Sequence, residues 1–301
     1  MITKKSSSAL KKILIIALFI TAVIILVLVR GRMLVVRNYS VPGHSSGGVK
    51  IVGLADLHGE MVGEKQERIV QKVREAGPDF IVYLGDMVEK SRVEESVESL
   101  VVLTEQLVQI APVYYVDGNH ELDVRKQNPD VYQHLNEELA DMGAVQLKDE
   151  IVSFTVDSGT AVNLCGITRH YYWGDFEREL AGKLKKMDGV NVLACHYPES
   201  VIWYDAFGSG GLDVALCGHT HGGLIRVPFL GGMVAPEQSR WPKYDLGAFL
   251  VYTDTTWREY GGGEGAEYLG TMIISGGLAG EHGLPRVNNP MEVTVVEVEL
   301  K

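Results

Sequence analysis

The chain has 301 residues, enough for one large domain or two small ones, with 46% hydrophobic and 22% charged side chains. Its net charge of −11 is spread unevenly: the first 37 residues hold seven basic groups and no acid, which leaves 21 basic against 39 acidic residues in the remainder, near −18 with histidine neutral. A body so acidic repels polyanions, which argues against nucleic acid as its main substrate.

From Ile13 to Val29 every residue but Thr21 is apolar, flanked by Lys4, Lys5, Lys11 and Lys12 before and by Arg30, Arg32 and Arg37 after. Such a run, at about 1.5 Å per residue, spans roughly 25 Å as a helix. That is slightly short of a hydrocarbon core of about 30 Å, a gap that flanking basic side chains and Ala9-Leu10 can cover. A cleaved signal peptide would show a small-x-small site next; Arg30-Gly31-Arg32-Met33-Leu34 follows instead, so the run reads as a retained single-pass anchor in the cell membrane. The short lysine-rich head without acids is that of a cytoplasmic N-terminus, which puts the body of the chain outside the cytoplasm. The expected division is a basic head (1–12), a transmembrane anchor (13–29), a stem punctuated by Pro42-Gly43 and Ser45-Ser46-Gly47-Gly48 (30–48), and one domain (49–301).

Within the domain, strand and helix alternate at first: strand Lys50 to Ala55, helix Lys65 to Ala76, strand Asp79 to Leu84, helix Arg92 to Ile110, strand Val113 to Val116, helix Pro129 to Met142. That alternation predicts βαβ units and a largely parallel sheet. A hairpin follows (Ile151 to Val156, Ala161 to Ile167, across Asp157-Ser158-Gly159), then a helix from Phe176 to Lys186. A strand to His196, a helix near Glu199 to Phe207 and a strand to Cys217 come next. The rest reads as β: Leu224 to Val227, Gly247 to Tyr252, Tyr268 to Ser275, Glu292 to Leu300. Two packed mixed sheets with helices outside are expected. Cys165, Cys195 and Cys217 all lie in apolar runs and read as small core residues, an odd set being no disulfide framework.

Five short blocks end strands with side chains able to hold metal: Asp56-Leu57-His58, Gly85-Asp86, Gly118-Asn119-His120-Glu121, Cys195-His196 and Gly218-His219-Thr220-His221. Five of the nine histidines fall in them. Ligands of open α/β sheets bind beyond the carboxyl ends of strands, so the blocks should gather on one rim. Aspartate with histidine suits borderline divalent ions, and a carboxylate such as Asp86 can be shared by two ions about 4 Å apart. His219 and His221, two apart before Gly222-Gly223, share a face if extended and diverge if the strand has ended; spacing alone leaves this open. His44 belongs to the stem and His134 to a helix surface, and His170 reads as structural before it reads as a cleft residue with its aromatic neighbours.

In this order the blocks resemble the calcineurin-like metallophosphoesterase superfamily, from about Lys50 to the C-terminus. Gly218 to Gly223, with Pro228, Leu284-Pro285-Arg286 and Asn289-Pro290, is similar to its bacterial membrane-associated branch. The resemblance implies a four-layer αββα sandwich and two divalent ions, manganese, iron or zinc. It implies that Asp56, His58 and His221 hold one ion, that Asn119, His196 and His219 hold the other, and that Asp86 bridges. His120, held by Glu121 or a nearby carboxylate, would act on the substrate. The implied chemistry is hydrolysis of a phosphomonoester or phosphodiester by metal-activated hydroxide. The sequence departs from the pattern at Met87-Val88-Glu89-Lys90, where a further Asp or Asp-Arg is common, and at Leu224, where Gln is common. The anchor suggests a lipid or envelope-precursor substrate. The alternatives are a nucleotide phosphodiesterase merely tethered to the membrane and a non-catalytic scaffold, which should have lost ligands. Arg286 reads as a structural salt bridge before a phosphate contact.

Overall fold

In a computed structural model of the chain, residues 3–43, 48–168, 172–236, 238–256, 259–280 and 284–299 are described; His44 and His170 lie outside them. The chain runs α1 (Thr3–Gly31), β1 (Leu34–Pro42), β2 (Val49–Leu54), α2 (Glu67–Ala76), β3 (Phe80–Leu84), α3 (Val93–Leu107), β4 (Val113–Val116), α4 (Asn119–Gln127) and α5 (Pro129–Asp141). It continues through β5 (Val145–Gln146), β6 (Glu150–Thr155), β7 (Ala161–Ile167), α6 (Asp175–Leu184), β8 (Val190–Cys195), α7 (Pro198–Trp203) and β9 (Val214–Cys217). The short strands β10 (Arg226–Val227), β11 (Gly231–Gly232), β12 (Val234–Ala235) and β13 (Ser239–Arg240) precede β14 (Gly247–Tyr252), β15 (Tyr268–Ile274) and β16 (Met291–Glu299).

Two six-stranded sheets form, in the orders β1-β16-β2-β3-β4-β5 and β14-β15-β9-β8-β7-β6. Both are mixed: β2 to β5 run parallel while β16 is antiparallel to β2, and β7, β8, β9 and β15 run parallel between antiparallel β6 and β14. Side chains alternate across each strand, and here both faces are covered. Ile51, Phe80, Val82 and Leu84 meet Val192, Ala194, Val214 and Leu216 between the sheets. The intervening Val52, Leu54, Ile81 and Tyr83 pack on Ile69 and Val73 of α2, Leu100 and Leu103 of α3 and Leu139 of α5. On the far side Leu193, Cys195 and Cys217 pack on Leu180 and Leu184 of α6 and Val201 of α7. Three cores between four layers make the αββα sandwich, and burial on both faces is why these strands read as unbroken apolar runs.

Residues 34–42 correct the expected stem. They form β1, paired parallel with β16 over its whole length, with Val41 fully buried and Arg37 Nε 2.8 Å from Glu292 Oε2. Leu34, Val35, Val36, Tyr39 and Val41 suit a pleated edge, but only pairing with a strand some 250 residues later reveals it. The chain therefore passes from α1 into the sheet with only Arg32 and Met33 between. Within α1, Lys11–Gly31 is long and apolar enough to cross a membrane, and Ile13, Leu14, Phe19, Ile25 and Leu26 on it are exposed. Two smaller differences are α4, a polar helix that no apolar periodicity announces, and Leu224 to Val227, where only Arg226–Val227 is strand.

Candidate metal centre

Because β2, β3 and β4 run parallel in one sheet and β8 and β9 in the other, their carboxyl ends open on one rim. Asp56 and Asp86 each lie two residues beyond a strand, His196 follows β8 directly, and His219 lies two residues past β9. Asn119 and His120 begin α4 just after β4. Asp56, His58 and His221 each bring an atom within 4.8 Å of the others, and so do Asp86, His196 and His219. His219 and His221 therefore face different groups. Both have left the strand, with φ of 72° and 50°, and Asp56, His58 and Asp86 share that left-handed region at 53°, 47° and 53°. Each such residue costs on the order of 1–2 kcal/mol, and strain of this kind persists where surrounding contacts over-determine it, often at functional sites.

Those contacts are hydrogen bonds from the turns. Glu121, buried, accepts the N–H groups of Asp86, Met87, Val88 and Gly118 at 2.7–3.0 Å. The His120 N–H donates to Asp86 Oδ1 at 2.8 Å, and the His219 N–H to Asp56 Oδ1 at 3.0 Å. Gly118 must be glycine: a Cβ there would stand 2.3 Å from Asp86 Oδ1.

The imidazoles are oriented from behind. His196 Nδ1 donates to Leu84 O (2.7 Å), His221 Nδ1 to Ala279 O (3.1 Å) and His58 Nδ1 to Glu89 Oε2 (3.1 Å), tautomers assigned from these acceptors. Each Nε2 is thereby turned inward. His58 Nε2 and His221 Nε2 stand 3.3 Å apart, and His196 Nε2 is 3.2 Å from both His219 Nδ1 and Asp86 Oδ2. Asp86 Oδ2 also lies 3.9 Å from His58 Nε2, between the two groups. Two buried oxygens, Asp56 Oδ2 and Asn119 Oδ1, have no hydrogen-bond partner among the described residues. Converging lone pairs and unsatisfied oxygens, braced by outer hydrogen bonds, fit divalent cations of the His/Asp type.

The electrostatics agree. Burial pushes Asp56 up to about 6, against the pull of His196. Burial also raises Asp86, but the charge and hydrogen bond of His196, with His120 and His58, outweigh it and hold the carboxyl well below its usual range. Burial lowers His196, while Asp86 and then Asp56 carry it up to about 10. His221 is pushed well down, by burial and then by His58 and Arg286. Asp86 and Asp56 draw positive charge to the cluster, while His221 is kept neutral with a lone pair to offer.

Glu89 was not singled out by its sequence position. Its Oε2 takes His58 and its Oε1 lies 3.3 Å from His120 Nδ1, so one carboxylate braces both rings; burial raises its pKa, but His120 and His58 hold it far below normal. The expected alternative partner of His120, Glu121, is committed instead to backbone N–H groups. Glu89 stands three residues after Asp86 on the loop that follows β3, which is the signal that could have found it. Arg286 corrects a second expectation: its buried guanidinium bonds four carbonyls, of Gly276, Ala279, Asn289 and Pro290, at 2.6–2.9 Å. Cys195 sits fully buried in the outer core, as expected of a small core residue, with its thiol pushed up to about 12 by burial. A cleft of about 890 Å³ opens over His58 and Glu89.

The family profile described as calcineurin-like phosphoesterase matches residues 49–223. An uncharacterised protein of Bacillus subtilis, YpbG, is 28% identical over 182 residues, 59% of this chain and 63% of its own length. An uncharacterised metallophosphoesterase of Campylobacter jejuni is 25% identical, over 66% of this chain and 50% of its own. The chain thus spans between half and two-thirds of the length of these relatives. The uncharacterised metallophosphoesterase YkuE of Bacillus subtilis is 22% identical over 70% of this chain and 72% of its own. Among solved structures, a dimetal phosphatase from Danio rerio superposes with a TM-score of 0.37 at 10% identity, covering 76% of this chain and 87% of that one.

Proposed function

The chain belongs to the calcineurin-like phosphoesterase family, and from that premise we propose that it hydrolyses a phosphomonoester or phosphodiester at a two-cation centre. Asp56, His58 and His221 would hold one ion, Asn119, His196 and His219 the other, and Asp86 would be shared. The observation that carries this reading is the convergence of two His/Asp groups on Asp86 Oδ2, with the imidazoles of His58, His196 and His221 fixed through their outer nitrogens. Bound divalent ions, manganese, iron or zinc, would supply an acidified water and offset phosphoryl charge.

The chain's own groups do the rest. Asp86 fixes the spacing of the two halves. Glu121 and the N-terminus of α4 hold Asp86 in its strained turn. Glu89 orients His120, which supplies a proton to the departing alkoxide. The substrate is a membrane-associated phosphoester, a lipid or envelope precursor, with the domain on the extracytoplasmic side. The exposed apolar residues of α1 and its near-direct passage into β1 support the membrane-associated substrate, because they hold the domain close to the bilayer; the extracytoplasmic side is supported by the lysine-rich, acid-free head.

The test uses the full chain in detergent, stripped by chelator and reloaded with Mn²⁺, Zn²⁺ or Fe²⁺, on chromogenic mono- and diesters. Turnover should require metal, vanish in Asp86→Asn and fall in His120→Asn with metal content retained. Stoichiometric metal binding without turnover on any ester would refute the reading and favour a scaffold. Faster turnover of soluble nucleotides than of micellar lipid esters would favour the tethered nucleotide enzyme.

A further inference from the structure

The cleft over His58 and Glu89 has an unexpected far wall. It is lined at one end by those two residues and at the other by Leu28, Val29, Gly31 and Arg32, the last turn of α1 and the residue after it. That turn is fixed to the domain. The Asn288 N–H donates to Val27 O at 3.2 Å, the Met291 N–H to Met33 O at 2.8 Å, and Gly31 lies so close to Arg286 O that a Cβ there would stand 1.9 Å from it. The same segment reaches the metal centre: Arg286 bonds Ala279 O, which holds His221, and Asn289 Nδ2 donates to His221 O at 2.7 Å.

The walls carry two chemistries. Met61 and Leu284 are apolar and half-exposed, whereas Arg32, Arg68, Arg92 and the carbonyl-bound Arg286 bring four cations, beside Glu60 and Glu89, to the cleft of an otherwise acidic body. Arg92 is engaged with Glu60 and the His58 carbonyl; Arg32 and Arg68 are exposed. A volume of about 890 Å³ lies near the upper end of small-ligand pockets, ~300–1,000 Å³.

Beside the helix end stands a second apolar feature. Asn288, which holds Val27 through its N–H, also bonds Arg226 O through Nδ2 at 3.0 Å, at the root of the β10–β11 hairpin. Its tip, Phe229-Leu230, is almost wholly exposed, Phe229 at 106% and Leu230 at 67%, and Phe229 has a φ of 68°. Three residues of chain reach at most about 10 Å, so through Asn288 the tip stands within roughly 20 Å of Val27 at the end of α1. An exposed aromatic-aliphatic tip next to a membrane-length helix belongs at the lipid interface.

We propose that Phe229-Leu230 and the end of α1 dip into one leaflet, and that the cleft between α1 and the metal centre admits the phosphate headgroup of a membrane lipid sideways from that leaflet. Arg32 and Arg68 meet the phosphate at the mouth, and the apolar wall of Met61 and Leu284 receives the start of the acyl chains. The cleft's use as a substrate path rests on the phosphoesterase reading; the docking of the tip does not.

The experiment uses the full chain in phosphatidylcholine vesicles, in two arms. In the first, Leu230→Cys carries an environment-sensitive fluorophore, the three native cysteines being buried. The expected result is quenching by spin-labelled lipid and protection from iodide. A label open to iodide and indifferent to spin-labelled lipid overturns the docking. In the second arm, phosphatidate in the vesicles and free glycerol 3-phosphate compete with a chromogenic ester for the Mn²⁺-loaded protein. Vesicle phosphatidate should compete at a concentration at least about tenfold lower, a factor equivalent to less than one buried apolar side chain. Phe229→Ser/Leu230→Ser should shrink that ratio, whereas Arg68→Gln should weaken competition by both and leave the ratio unchanged. Equal competition by lipid and free phosphate overturns lateral entry. Absence of chromogenic turnover would instead defeat the phosphoesterase reading, with the fluorescence arm still deciding the docking.

Discussion

Replacing Glu121 by Gln tests whether one buried carboxylate sets the geometry of the centre. Its Oε2 accepts the N–H groups of Asp86 and Gly118 at 2.8 and 2.7 Å, and its Oε1 those of Met87 and Val88 at 2.7 and 3.0 Å. Glutamine is nearly the same shape but turns one oxygen into an NH₂ group, so two buried N–H donors face another donor. At about 1–3 kcal/mol for each unsatisfied buried group, the loss is about 2–6 kcal/mol. That is a large share of a typical stability of about 5–15 kcal/mol. For a domain of this size, each kcal/mol moves Tm by roughly 2–4 °C, so the variant should melt at least about 4 °C lower. Thermal unfolding of the detergent-solubilised chain, with and without Mn²⁺, measures this. Metal retained after dialysis should fall too, because Asp86 sits at φ 53° only while its turn is held. A Tm within about 2 °C of the parent, with metal content unchanged, would refute the reasoning.

Three more perturbations probe the same centre. Glu89→Gln removes the charge that braces His58 and His120 and should lower metal affinity or turnover by about 10–100-fold; metal titration and kcat read it, and parent-like values would exclude that role. Gly277→Ala adds a Cβ 2.8 Å from Asp56 Oδ2 at a φ of 72°, so it should cost on the order of 1–2 kcal/mol in backbone strain alone and weaken metal binding; a denaturation midpoint equal to the parent's would contradict it. Metal loading should release protons, since His196, raised to about 10 by Asp86 and Asp56 against the effect of burial, must lose its proton to bind. Apparent affinity should therefore rise by up to about tenfold per pH unit towards pH 9, more steeply below about 6 where Asp56 also protonates. In the metal-free protein the same raised pKa is a stabilisation present below about 6.5 and lost as pH climbs through about 10. Calorimetry in buffers of different ionisation enthalpy measures the release; none at pH 7.5 would overturn the assignment.

The residue types of the centre and their order along the chain were legible in the sequence, because buried strands read as apolar runs and each rim block follows one. The same runs announced the layers: a strand covered on both faces has no polar alternation to hide it. What remained illegible depends on distant partners. Residues 34–42 carry ordinary edge-strand chemistry, and only β16 makes them part of the sheet. Glu89 and Glu121 look alike as acids near the rim; the loop after β3 turns Glu89 toward imidazoles, and the first turn of α4 aims Glu121 at that loop's backbone N–H groups. His219 and His221 would share a face on a strand, and positive φ at both, held by the Asp56 carboxylate and the Ala279 carbonyl, sends them to different groups. Arg286 and Asn288 show the same division. Locally they are two polar residues in a Pro-rich loop, and only the tertiary structure sets them between the end of α1 and the histidine at the metal centre. Local pattern determines what a residue can do, and long-range packing decides which partner it meets.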